Sequence, residues 1–189
     1  MLGVNMKDVD AAGGNRVPAG GYVIQIQRAT VRPQKQDIEI EYDIIEGQFA
    51  GYYRELFQRR KFWLGKFYKS FKENALPFLK AFIQTIEESN PDTAGLVIGD
   101  YEDIDETKLP GKVLGIVYGL EEYIGNDGKV KTRPDYFGAT FLTPERIRDG
   151  EFEVPEFKPL ASNPTQPAAG GVVDTTAGFG PVRDDGMPF

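Results

Sequence analysis

Between residues 37 and 44 the chain alternates without a break. Ile38, Ile40, Tyr42 and Ile44 fall on one side, and Asp37, Glu39, Glu41 and Asp43 on the other. A period of two predicts a strand with one face on a core and its acids turned to water. Residues 22–31 (YVIQIQRATV) place Tyr22, Ile24 and Ile26 on one face of a second half-buried strand, and Pro33-Gln34-Lys35-Gln36 fits the hairpin between the two. Residues 47–51 (GQFAG) read as a turn, and residues 52–57 then predict a third strand. Leu76, Leu79, Phe82, Ile83 and Ile86 recur at helical spacing, with Asn74 as cap and Ser89-Asn90-Pro91 as stop.

An acidic loop over residues 99–107 leads to a turn at Pro110-Gly111. Residues 112–124 predict a fourth strand, kinked or bulged at Gly115 and Gly119. Asn126-Asp127-Gly128 is a turn signal, and residues 129–142 return as a fifth strand with Pro134 near an edge or bulge. Thr143-Pro144-Glu145 starts a short helical turn that ends at Gly150.

The predicted order is three strands, a helix and two strands. That is the order of the OB-fold, a mainly β, five-stranded Greek-key barrel with its helix between strands three and four. A small α+β sandwich shares it. From Ala161 the composition turns to Pro, Gly, Ala, Ser and Thr, which predicts a disordered tail. The expected organisation is a domain over residues 1–160 and a linker with an acidic tip over residues 161–189.

Composition narrows the chemistry. Among the 189 residues there is no Cys and no His, which excludes thiolate nucleophiles, Cys-ligated zinc and Ser-His-Asp catalysis. Residues 1–14 have neither the basic start nor the apolar run of a signal peptide, and no segment approaches about 18 apolar residues. A cytoplasmic protein with no membrane partner and no cofactor is expected. The net charge of −7 argues against nucleic acid until its distribution is considered.

Residues 52–72 (YYRELFQRRKFWLGKFYKSFK) reverse that sign. Arg54, Arg59, Arg60, Lys61, Lys66, Lys69 and Lys72 face a single acid, Glu55, and aromatic residues run between them. Unpaired bases stack on aromatic rings while cations neutralise the phosphates, so this composition suits a single strand. The expected contacts are these seven cations with Tyr52, Tyr53, Trp63 and Tyr68. Phe57, Phe62 and Phe71 are expected in the core, and Trp63 fits a buried anchor as well as a base platform. The hairpin at residues 126–128 adds Lys129, Lys131 and Arg133 as weaker expected contacts, with Tyr118, Tyr123 and Tyr136 nearby; surface decoration explains these almost as well.

Signs of catalysis are weak. The Gly-Lys pairs at 65–66, 111–112 and 128–129 lack the rest of a phosphate loop. Asp100, Glu102, Asp103, Asp105 and Glu106 fit a solvated loop better than a Ca²⁺ site. Pro91-Asp92 with Glu106-Thr107-Lys108 matches only the outline of a carboxylate nuclease.

The chain ends in DDGMPF. A terminal aromatic behind acids suits capture by a partner whose apolar pocket takes the ring and whose basic rim takes the carboxylates. This ending, with the basic-aromatic segment and the element order, resembles the single-stranded DNA-binding proteins of bacteria and, most closely, of bacteriophages. The resemblance implies a protein that coats single strands in replication, recombination and repair. It also implies that Asp184, Asp185, Pro188 and Phe189 recruit partner enzymes. The tip departs from the family in having two acids beside Arg183. A homo-oligomer stays open. A protein-binding adaptor and a Mg²⁺-dependent nuclease are the alternatives.

Overall fold

Strand β2 (Asp37–Ile44) buries Ile38, Ile40, Tyr42 and Ile44 as its alternation requires. The computed structural model describes residues 17–91, 97–98 and 103–160. In chain order these form β1 (Gly20–Arg32), β2, α1 (Tyr52–Arg60), β3 (Lys66–Ser70), α2 (Leu76–Ser89), β4 (Val97–Ile98), β5 (Asp103–Ile104), β6 (Val113–Ile124), β7 (Val130–Leu142) and α3 (Pro144–Arg148). Short 3-10 turns occupy Gly47–Phe49, Glu73–Ala75 and Glu106–Lys108.

The protein is mainly β. Its principal sheet is five-stranded, open and antiparallel, in the order β3-β2-β1-β6-β7, with α2 following β3; β4 and β5 pair separately. In β1 the inward positions change parity, from Ile24 and Ile26 to Ala29 and Val31. A bulge between Ile26 and Arg28 makes the change possible, and Ala29 and Val31 then lie opposite Ile40 and Ile38. The register of β6 and β7 shifts at Gly119, whereas Gly115 pairs regularly with Leu142. Gly115 has another task, because a side chain there would run into Ile147 of α3.

Although Leu76 in its first turn is exposed, helix α2 buries Leu79, Phe82, Ile83 and Ile86 of the predicted stripe. Each such side chain contributes roughly 1.5–3 kcal/mol when fully buried. The cap is not Asn74, which lies inside the 3-10 turn; Ala75 precedes the helix and no side chain caps it. At the other end Asn90 stops the helix and ties it to the sheet. Its Nδ2 donates to the carbonyls of Ile86 (2.7 Å) and Val113 (2.8 Å), and its Oδ1 accepts from the Val113 amide (3.0 Å).

Two expectations are corrected. Residues 52–57 belong to helix α1, and the third strand of the sheet is β3, which follows that helix. Glu41 and Asp43, expected in water, are buried because α1 and neighbouring cations cover them.

After α3 the chain runs back along β6 as a strap. The Lys158 amide donates to Leu120, and its carbonyl accepts from Glu122, each at 2.9 Å. The Lys158 ammonium meets the buried Asp135 of β7 at 2.6 Å.

Candidate nucleic-acid interface

Helix α1 forms because three local features agree. Gly51 turns into it at φ +78°, Asp43 on β2 accepts the Tyr53 amide at 3.1 Å, and Lys61 leaves it at φ +62° with its N–H on the Phe57 carbonyl (2.8 Å). Glu55 in the first turn and Arg59 and Arg60 in the last suit the helix dipole. Tyr53 and Leu56, one turn apart, bury the inner side.

The outer side is basic and aromatic. Arg54, Arg59, Arg60 and Lys61 are exposed, and Phe57 and Phe62 are 41% and 54% exposed. Neither phenylalanine is in the core, contrary to expectation; Phe71 is the one of the three that packs against it. Leu64 is also exposed, and the Phe57 ring lies against Trp63 at 5.6 Å.

Trp63 combines both of its expected roles. Its indole N–H donates to the carbonyls of Tyr42 and Gly65 at 3.0 Å, so the ring is pinned to the sheet while part of it faces out. Of the tyrosines, Tyr52 is half-buried against Phe49 and Tyr53. Tyr53 is buried, accepts from the Tyr42 hydroxyl (3.3 Å), and is closed to a base.

The outer face of β1, β2 and β3 is laid out in rows. Arg28, Glu41 and Lys66 lie in one row, Thr30, Glu39 and Tyr68 in the next, and Arg32, Asp37 and Ser70 in the third. Arg28 meets Glu41 at 2.9 Å, and Lys66 meets Glu39 and Glu41 at 3.2 and 3.4 Å. Arg32 meets Asp37 at 2.6 Å and covers the Tyr68 ring at 4.1 Å. Lys66 is therefore compensated by carboxylates. Arg28 and Arg32, which sequence reasoning passed over, could have been found from their offset opposite the acids of β2.

Lys69 is placed differently. It follows Phe67 by two residues and so points inward, over the rings of Phe141 (4.0 Å) and Phe82 (5.1 Å). No carboxylate lies within ion-pair reach of it among the described residues, and burial pushes its pKa down to about 8. Lys72 is exposed just beyond β3.

In the β6–β7 arm, Lys131 meets Asp127 at 3.1 Å, and Arg133 meets Glu121 at 2.7 Å while covering Tyr123 at 4.8 Å. Lys129 is exposed. Tyr118 is a core residue and Tyr136 packs half-buried against the core, in a phenol cluster where the hydroxyls of Tyr42 and Tyr136 are 2.8 Å apart. Burial holds Tyr42, Tyr118 and Tyr136 well above the usual phenol range and pushes Tyr22 up to about 12.

Asp184, Asp185, Pro188 and Phe189 lie outside the described residues, as do Asp92 of the nuclease outline and much of the acidic loop. Among the described residues no group of three or more carboxylates could hold a metal ion, and no helix is long and apolar enough to cross a membrane. No protein-family model matches the chain, and no curated protein matches it.

Proposed function

We propose that this protein binds single-stranded DNA through an OB-type barrel and does so without catalysis. The observation that carries the reading is the outer side of α1 and the loop after it. There Phe57, Phe62 and part of Trp63 stand among Arg54, Arg59, Arg60 and Lys61. Exposed rings take unpaired bases, and the cations take the phosphates between them. The barrel reading draws support from the two outer strands. Phe67 of β3 lies 5.1 Å from Phe141 and 6.2 Å from Tyr136 of β7, so one core joins both edges of the sheet. The strand order and the position of α2 agree with it.

On this reading residues 161–189 are a disordered linker and tip. They recruit replication, recombination or repair enzymes in the cytoplasm, that of the host cell if a phage encodes the protein. The test is a fluorescence titration of Trp63 with oligo-dT at two salt concentrations, beside a duplex of equal length. Quenching that weakens with salt and is far weaker with duplex supports the reading. Equal affinity for both forms, or none for either, overturns it.

One observation favours an adaptor that binds protein instead. The outward cations Arg28, Arg32 and Lys66 of β1 and β3 are already matched by Asp37, Glu39 and Glu41, which leaves that face less basic than phosphate binding prefers. The same titration separates the two.

A further inference from the structure

Phe137 is 93% exposed, although it stands in the middle of a strand. It does not dangle. Between the pairs Gly119–Asp135 and Val117–Thr140, β7 holds more residues than β6, so residues 136–139 arch out of the ladder. A buried carboxylate holds the arch. Asp135 Oδ1 accepts from the amides of Phe137 (3.1 Å) and Gly138 (3.0 Å), and Lys158 of the strap meets Oδ2. A side chain at position 138 would collide with that carboxylate, so glycine is required there.

Tyr136 points inward and hydrogen-bonds Tyr42, which leaves the next residue, Phe137, pointing out. The same happens across the gap on β3, where Phe67 points in and Tyr68, 36% exposed, points out. The two inward rings, Phe67 and Tyr136, are 6.2 Å apart. Tyr68 and Phe137 therefore flank one stretch of the seam between β3 and β7, and the Lys69 ammonium lies inside that seam. The fold gains almost nothing from a ring so fully hydrated, yet it spends a buried carboxylate and a glycine on fixing its backbone.

We propose that Phe137 is a base-stacking platform, and that the single strand crosses the β3–β7 seam between Tyr68 and Phe137. The proposal rests on the single-strand reading above and adds a residue and a path to it. An unpaired nucleobase is the ligand chemistry that fits, since an exposed planar ring offers a π-face but no enclosing pocket.

The experiment uses the full chain and oligo-dT, with wild type, Phe137→Ala and Phe137→Trp titrated side by side and their melting temperatures compared. Wild-type binding, a loss of about five-fold or more in Phe137→Ala at unchanged melting temperature, and recovery in Phe137→Trp support the proposal. In parallel, wild-type protein is photocrosslinked to an oligonucleotide carrying 5-iodouracil, which needs no variant; adducts on Phe137 or Tyr68 support the path. Wild-type binding with Phe137→Ala equally tight, and adducts only on α1, overturns the inference but leaves the single-strand reading standing. A wild-type protein that binds no strand overturns both. Sedimentation of both proteins covers the remaining occupant, and dissociation of an oligomer in Phe137→Ala would make Phe137 a contact between copies and overturn the proposal.

Discussion

Asp43 accepts the backbone amide of Tyr53 at 3.1 Å, so a fully buried carboxylate in the sheet fixes the start of the helix that carries the basic-aromatic surface. The same oxygen accepts from Ile44 at 3.0 Å, and Arg54 approaches the other oxygen at 3.5 Å. Burial nonetheless raises the Asp43 pKa above the usual carboxylate range, with the amide hydrogen bonds and Arg54 opposing it.

Asp43→Ala removes that support and is expected to cost about 0.5–2 kcal/mol, the range for a lost helix cap. Asp43→Asn keeps an accepting oxygen and should cost less. Urea denaturation of the three proteins checks the order, and equal midpoints would show that α1 starts without Asp43.

Trp63→Phe keeps the ring's bulk but leaves the Tyr42 and Gly65 carbonyls without the indole donor. A loss of about 1 kcal/mol is expected, the usual net value of a hydrogen bond. Single-strand affinity should fall less than in a variant with no ring at 63. Denaturation and titration of Trp63→Phe and Trp63→Ala separate the two effects, and a Trp63→Phe protein as stable as wild type would remove the anchoring role.

Arg59→Ala combined with Arg60→Ala should flatten the dependence of affinity on salt. Each phosphate that is no longer neutralised lowers the slope by roughly 0.7 for a single strand. Both side chains are exposed, so the melting temperature should barely move. An unchanged slope would place the phosphate track away from α1.

Lys69 makes stability depend on pH in a definite window. Its folded pKa of about 8 lies below the ordinary lysine value of 10.5, so between these values the unfolded chain binds more protons than the folded one. Stability from this group is therefore present above 10.5 and lost as pH falls through about 8. The buried tyrosines act the other way above about pH 10, where unfolded phenols ionise first. Unfolding free energy should thus rise from about pH 8 towards about 10 in wild type, and Lys69→Met should flatten that rise. A variant with the wild-type slope would show that the ammonium is hydrated in the folded protein.

Deleting residues 186–189 should leave the melting temperature unchanged and abolish capture of a replication enzyme while strand binding is kept. Paired titration and a pull-down with purified candidate polymerase or primase check this. A truncated protein that retains the enzyme would place recruitment elsewhere in the chain.

Strands whose apolar residues alternate were legible one by one. The alternation in β2 marked Ile38, Ile40, Tyr42 and Ile44 as buried, and helix α2 shows its own period, whereas β6 is buried on both faces from Leu114 to Tyr118. Residues 52–57 misled because tyrosine and phenylalanine suit strands, while the hydrogen bond that favours a helix comes from Asp43, outside the segment. The same distance effect hid the burial of Glu41, whose cations Arg28 and Lys66 arrive on two other strands. Sequence located the basic-aromatic segment but not the division within it. Tyr53 and Phe67 went to the core, whereas Phe57 and Phe62 went to the surface. Phe137 was missed altogether, because its exposure depends on an arch that only the pairing register defines.

The strap gives the domain a load path. Lys158 holds β6 through its backbone and β7 through its ammonium, close to where the C-terminal segment leaves the domain. Tension on the chain beyond residue 160 would therefore enter at the root of the β6–β7 arm, not at the hydrophobic core. It would work against Asp135, which holds the arch of Phe137. An enzyme pulling on the C-terminal end would tug on the place where the strand is proposed to stack, and could loosen its grip without unfolding the protein.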